Sequence, residues 1–232
     1  MMQNPSGLPT QVGATTATDT SQRFLTHAFG WMFAGLLLTA GVATVVQSSQ
    51  TLTTFALQNF LILIFAQLGI VLAISAGINR LNATAALGLF FVYAASLGLT
   101  VGLIVQAYTG ASVAVAFLSA SAMFGGAAAY GALTHRSLAG LGGILMMGLI
   151  GIIVASVVNL FLGSPAVSWL VSIAGVVIFT ALTAYDVQRI QSGWLAQATG
   201  SVEKAAVIGA LRLYLDFINL FLFLLRLTGG RR

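Results

Sequence analysis

Residues 139–162 read AGLGGILMMGLIGIIVASVVNLFL, a run without a single charged side chain. A helix rising 1.5 Å per residue needs about 20 residues to cross a hydrocarbon core of roughly 30 Å. This stretch is therefore long and apolar enough to span a bilayer. Working outward from it, six more stretches of similar length and character occur at 27–46, 57–78, 84–105, 112–132, 166–188 and 206–227. The spacing predicts an all-α integral membrane protein with seven transmembrane helices. The composition agrees: 59% of the 232 residues are hydrophobic and 6% are charged. A soluble domain carries about 25% charged residues, and nine basic plus four acidic side chains cannot cover a 24.0 kDa globule. A water-soluble fold is excluded.

The chain divides into a flexible polar N-terminal tail over 1–22 and a single seven-helix transmembrane domain over 23–232. The tail contains Pro5, Gly7, Pro9 and many Thr, Ser and Gln, with too little apolar surface for a core. It has no Lys or Arg, and the following apolar run is longer than a signal-peptide core, so the first helix is expected to stay in the mature protein. Arg23, Arg80, His135 with Arg136, and Arg189 with Lys204 flank alternate connections, whereas 47–54, 106–110 and 163–165 hold no Lys or Arg. By the positive-inside rule the N-terminus faces the cytoplasm. A seventh full crossing then puts Arg226, Arg231 and Arg232 outside, unless the last segment is re-entrant. The net charge of +5 makes no basic patch, so no nucleic-acid partner is expected.

Glycine is abundant, and Gly98 with Gly102, and Gly125, Gly126 and Gly131 with Ala127, Ala128 and Ala129, are expected to form flat faces for close helix packing in lipid. The informative residues are the charged ones inside spans, because their cost makes them functional candidates. Asp186 lies near the expected cytoplasmic end of span six, and Arg212 and Asp216 lie within span seven. Spans six and seven are consecutive and antiparallel, so both aspartates enter from the same side, at depths of about 9 and about 18 Å. If tilt brings them together where water is scarce, they share a proton and form a proton-sensitive latch. The pair would also offer oxygens to Ca²⁺, although two carboxylates fall short of its usual 6–8 ligands.

The structural alternative is that Asp186 caps span six near Arg189 while Asp216 neutralises Arg212, four residues away on one helix face. Tyr185, Tyr214 and Asn219 are expected to pack and hydrogen-bond beside the acids. Arg80 reads as a snorkelling anchor that could also latch onto an aspartate, and His27 and His135 read as interfacial. Without cysteine there is no thiolate site or disulfide. Zinc-protease, nucleophile-elbow and Walker motifs are missing, and the single lysine, Lys204, lies outside the last span. An enzyme and a cofactor are not expected.

Tyr185-Asp186-Val187-Gln188-Arg189-Ile190, then Ala210 through Phe221 (ALRLYLDFINLF) and Leu224-Leu225-Arg226, resemble the signature of the Bax inhibitor family, in its bacterial branch. The strong match covers about the last fifty residues. The resemblance implies two three-helix layers around a central C-terminal helix, and a pH-sensitive calcium leak sensed by paired aspartates, here Asp186 and Asp216. It implies an arginine latch at Arg80. It places the chain in a bacterial inner membrane, with Ca²⁺ and protons as partners beside the lipid bilayer. For some bacterial members it implies regulation of a membrane-anchored AAA protease, a role the polar tail would serve. A proton-coupled secondary transporter would use the same carboxylates.

Overall fold

Small polar residues that precede the apolar runs act as helix caps, and they fix where the helices begin. The computed structural model describes the backbone of residues 12–230 and the side chains of residues 24–230. The described helices are α1 (Val12–Ser48), α2 (Gln50–Gln58), α3 (Phe60–Gly77), α4 (Ala83–Gln106), α5 (Gly110–Leu133), α6 (Leu141–Leu162), α7 (Pro165–Gln191), α8 (Trp194–Thr199) and α9 (Val202–Thr228). Ser49, Asn82, Thr109, Ser164 and Ser201 cap α2, α4, α5, α7 and α9, each accepting a backbone N–H three residues on. These bonds satisfy donors that the helix itself leaves open. Gly163 ends α6 at φ 62°, in the left-handed region, and Pro165 opens α7 where its missing N–H has no cost.

Seven of these helices are long and apolar enough to cross a membrane: Phe24–Ser48, Phe60–Gly77, Ala83–Gln106, Gly110–Leu133, Leu141–Leu162, Pro165–Gln191 and Val202–Thr228. They match the seven stretches read from the sequence to within a few residues at each end. The chain is an all-α integral membrane protein. Of the expected tail, residues 1–11 lie outside the described residues, and 12–22 continue the backbone of α1. Hydropathy does not reveal α2, which fills the expected connection and takes the start of the second span. It is separated from α3 at Asn59, whose Nδ2 donates to the Phe55 carbonyl at 2.8 Å; such side-chain bonding competes with the helical ladder.

Burial ranks the helices. In α9, 72% of the most apolar window is buried, against 11% in α3 and in α6. α9 is the most enclosed spanning helix, packed against α1, α4, α5, α7 and α8, while α3 leans on α4 and α6 on α7. Aromatic edges fasten it: Tyr214 meets Phe90 at 5.5 Å and Tyr93 at 5.8 Å between centroids, and Phe217 meets Phe124 at 5.5 Å.

The expected glycine faces divide. A Cβ on Gly98 would lie 2.6 Å from Val42 Cβ, and one on Gly102 would lie 2.9 Å from Val46 Cβ, so both let α4 close onto α1. Gly131 likewise sits against the Ala184 backbone of α7. Gly125 and Gly126 have open space around them. Of the face expected there, Ala128 and Gly131 are buried against neighbours, while Gly125 and Gly126 lie on the other side of α5 and pack on no described helix.

The ends of α9 settle whether it crosses or returns. At its start, Lys204 Nζ donates to the Asn79 carbonyl between α3 and α4 at 3.4 Å. At its finish, Gly230 N donates to Ser112 Oγ at 2.9 Å and Thr109 N donates to the Gly230 carbonyl at 3.2 Å, both at the connection from α4 to α5. These connections lie at opposite ends of α4, so the 27 residues of α9, about 40 Å of helix, make a full crossing and not a re-entrant loop.

Candidate functional site

α7 and α9 pack along their lengths, and the two aspartates lie where they meet. Asp186 is five residues from the end of α7, about 8 Å in, and Asp216 is about 21 Å from the start of α9. Arg212 stands one turn nearer the α8 end than Asp216, and its long side chain spans the difference in depth. Arg212 Nη1 donates to Asp186 Oδ1 at 3.0 Å, the one ion pair among the described residues. The pairing expected within α9, Arg212 with Asp216, is replaced by a bridge between helices.

Asp216 is 4% exposed. Its Oδ2 is the one buried side-chain polar atom among the described residues without a hydrogen-bond partner. The two carboxyl groups therefore share a site without bonding each other directly. Burying a charged or polar group unpaired costs far more than burying a paired one. Asp216 is thus a costly polar group in the described core.

Both acids line a cavity of about 860 Å³ whose walls include Gln67, Tyr93, Tyr185, Arg189, Arg212 and Asn219. A second cavity, of about 820 Å³ and towards the far end of α9, holds Asn159, Ser168, Trp169 and Arg226. The two share Ser156 and Phe223 as walls. Phe223 stacks on Phe179 at 5.8 Å. It lies over Gly175, where a Cβ would come within 2.6 Å of its ring.

The other residues singled out in the sequence fall in several places. Arg189 does not reach Asp186 to cap α7; it donates to the Tyr185 hydroxyl and lies 3.8 Å over the Trp194 ring. Tyr185 and Asn219 line the cavity, the Asn219 amide donating to the Leu215 carbonyl at 2.8 Å. Tyr214 is fully buried; its hydroxyl bonds Thr39 Oγ1 at 2.6 Å, and Thr39 donates to the Ala94 carbonyl at 2.9 Å, linking α9 to α1 and α4. Arg80 is exposed just past α3 and bonds neither aspartate. The arginine at the acids is Arg212, because Arg80 lies beyond the helix end while Arg212 already faces the cavity. His27 and His135 are exposed.

Three residues outside that set matter here. Gln67, in apolar α3, is 7% exposed and donates to the Ser96 carbonyl and Thr100 Oγ1 at 3.0 and 2.9 Å. Tyr93 completes the cavity wall opposite. Gln188 holds the connection before α6 by accepting from Leu138 N and donating to the Arg136 carbonyl. A search confined to charged residues passes over them; an amide within an 18-residue apolar helix is the signal that finds Gln67, since it too must be satisfied in lipid.

A resident Ca²⁺ does not fit this donor set. It would need 6–8 oxygens, whereas Asp186 is already engaged by a guanidinium and no group of three or more His, Cys, Asp or Glu gathers among the described residues. Calcium enters below only as cargo.

A family model described as "Inhibitor of apoptosis-promoting Bax1" matches residues 21–232. Inner membrane protein YbhL of Escherichia coli strain K12 is 45% identical over 217 residues, covering 91% of this chain and 93% of its own. Protein RP147 of Rickettsia prowazekii is 39% identical over 214 residues, covering 91% of each. Membrane protein SpyM3_0260 of Streptococcus pyogenes is 42% identical over 160 residues, covering 69% of this chain and 70% of its own.

Proposed function

The chain belongs to the Bax inhibitor family along residues 21–232, and on that footing we propose that it is a pH-sensitive calcium leak pathway of a bacterial inner membrane. Protonation at Asp186 and Asp216 gates it. The observation that carries this reading is the orphaned Oδ2 of Asp216 beside the Arg212–Asp186 bridge, in a large cavity between spanning helices. Intramembrane acids of this kind mark ion pathways and proton relays.

The bridge ties Arg212 to Asp186 as an ion pair only while Asp186 is charged. As pH falls and Asp186 takes a proton, the pair loses its charge–charge attraction and keeps at most a hydrogen bond from the guanidinium to a neutral carboxyl, and the Arg212 cation is freed to move off the path. Asp216, which has no cation of its own, then lines the opened path with its carboxyl oxygens. The pathway runs from the first cavity past Phe223 into the second, with Phe223 on Phe179 as the constriction. The sign follows: flux rises from pH 8 towards pH 6.

Proteoliposomes loaded with a calcium indicator test this. Wild-type protein should leak more Ca²⁺ at pH 6 than at pH 8. Asp186→Asn, which removes the bridge at every pH, should leak at pH 8 as the wild type does at pH 6. An Asp216→Asn variant whose flux and pH dependence match the wild type would refute the sensor assignment. Saturable, substrate-dependent proton movement would instead identify a secondary transporter. A tail deletion that disturbs a AAA protease while leaving ion flux alone would identify a regulator.

A further inference from the structure

At the end of the molecule away from α8, one cation stands apart. Arg226 is exposed in the last turn of α9. It makes no ion pair and no hydrogen bond among the described residues; its one contact of note is with the Phe223 ring at 5.9 Å. The connections at this end, 48–50, 107–109 and 163–164, contain no acidic residue and no other Lys or Arg. Arg231 and Arg232 follow in the sequence. The charge rule disfavours arginine on the side that the expected orientation makes non-cytoplasmic, so Arg226 calls for a partner.

Around Arg226 lies the cavity of about 820 Å³ described above. Its walls are amphipathic in a specific order. Asn159 and Ser168 sit side by side, the Asn159 amide donating to Ser168 Oγ at 2.7 Å. Since Ser168 Oγ accepts that bond and donates none, its hydroxyl proton is free to point into the cavity. Two large apolar side chains in the wall are exposed, Trp169 at 58% and Leu160 at 80%. An exposed tryptophan between aliphatic side chains and a polar pocket occupies the position such rings take at the headgroup level of a bilayer. The cavity wall thus offers a guanidinium, a hydroxyl donor and acyl-compatible surface together.

We infer that this cavity binds the phosphodiester headgroup of an anionic phospholipid, held by Arg226 and Ser168, with its acyl chains along Leu160 and Trp169. Guanidinium and phosphate oxygens match in charge and geometry. The apolar rim selects a lipid over a soluble phosphate, which would leave those side chains without a partner. Binding does not depend on the proposed conduction. If conduction holds, the bound phosphate also cancels a charge that would repel a cation leaving past Phe223.

Full-length protein in nanodiscs of phosphatidylglycerol and phosphatidylcholine, released and examined by native mass spectrometry, tests the inference. The wild type should retain phosphatidylglycerol in preference to phosphatidylcholine. Arg226→Gln should lower that retention about five-fold, the weight of one basic residue near an anionic surface. Ser168→Ala, on a different helix, should lower it less, and Arg136→Gln, an exposed arginine at the other end, should leave it unchanged. Equal retention in Arg226→Gln and wild type overturns the assignment. So does thermal stabilisation by inorganic phosphate or glycerol phosphate that equals the effect of the lipid, since the site would then be for a free anion. Calcium flux is read separately: loss of flux with lipid retention intact counts against the gating proposal alone.

Discussion

Asp186, Arg212 and Asp216 differ in what their neighbours do for them. Asp186 has a cation at 3.0 Å; Asp216 has an oxygen with no partner, although Arg212 is only four residues away on its own helix. The Arg212 side chain is 38% exposed, so packing covers it only in part and the bridge fixes its charged end. Removing it leaves two buried carboxyls together. We expect Arg212→Gln to lower stability by about 2 kcal/mol, within the range for losing one hydrogen bond to a charged group, seen as a lower melting temperature in detergent at pH 8. The loss should shrink at acid pH, where Asp186 no longer needs a cation. A variant as stable as the wild type at pH 8 would show the bridge to be incidental. Sequence alone identifies all three residues, since each is a charge in an apolar run. It cannot choose which acid the arginine takes: helical spacing favours Asp216, and only the depth and rotation of α7 bring Asp186 within reach.

Glycine in helices of this kind carries two opposite meanings, and α4 and α5 hold one of each. Gly98 leaves no room for a Cβ against α1, whereas Gly125 faces open space. Gly98→Leu should pry α4 from α1 and lower stability by about 2 kcal/mol, in the range for overpacking. Gly125→Ala should be neutral or stabilising by up to about 1 kcal/mol, because alanine gives up less conformational freedom in a helix. Melting curves of the two variants check this, and a larger loss from Gly125→Ala than from Gly98→Leu would reverse the assignment of faces. Helix boundaries follow from local chemistry. Ser, Thr and Asn cap α2, α4, α5, α7 and α9, and hydropathy alone places the spans to within a few residues. α2 and α8 escape it because they are too short, at nine and six residues, to register as apolar runs.

At the scale of the molecule, α9 is the axis, and its two ends lie on opposite sides of the bundle. The natural lack of cysteine makes the consequence simple to check. Single cysteines at Gln197→Cys and Gly230→Cys should react oppositely with a membrane-impermeant maleimide in intact cells, position 230 from outside and position 197 only after lysis. Labelling of both from one side would mean that α9 does not cross. The sequence by itself determined a seven-helix membrane protein, the location of its spans, the family of its last two helices and the short set of buried acids. These properties sum along the chain: hydropathy needs only about 20 consecutive residues, and a cap needs only four. The tertiary structure alone decided that Arg212 bridges to Asp186, that Asp216 keeps an oxygen without a partner, that Arg80 stays outside and that Gly125 packs on nothing. Those outcomes depend on how far each helix is turned and sunk against neighbours distant in sequence, and no local pattern encodes that angle or that depth.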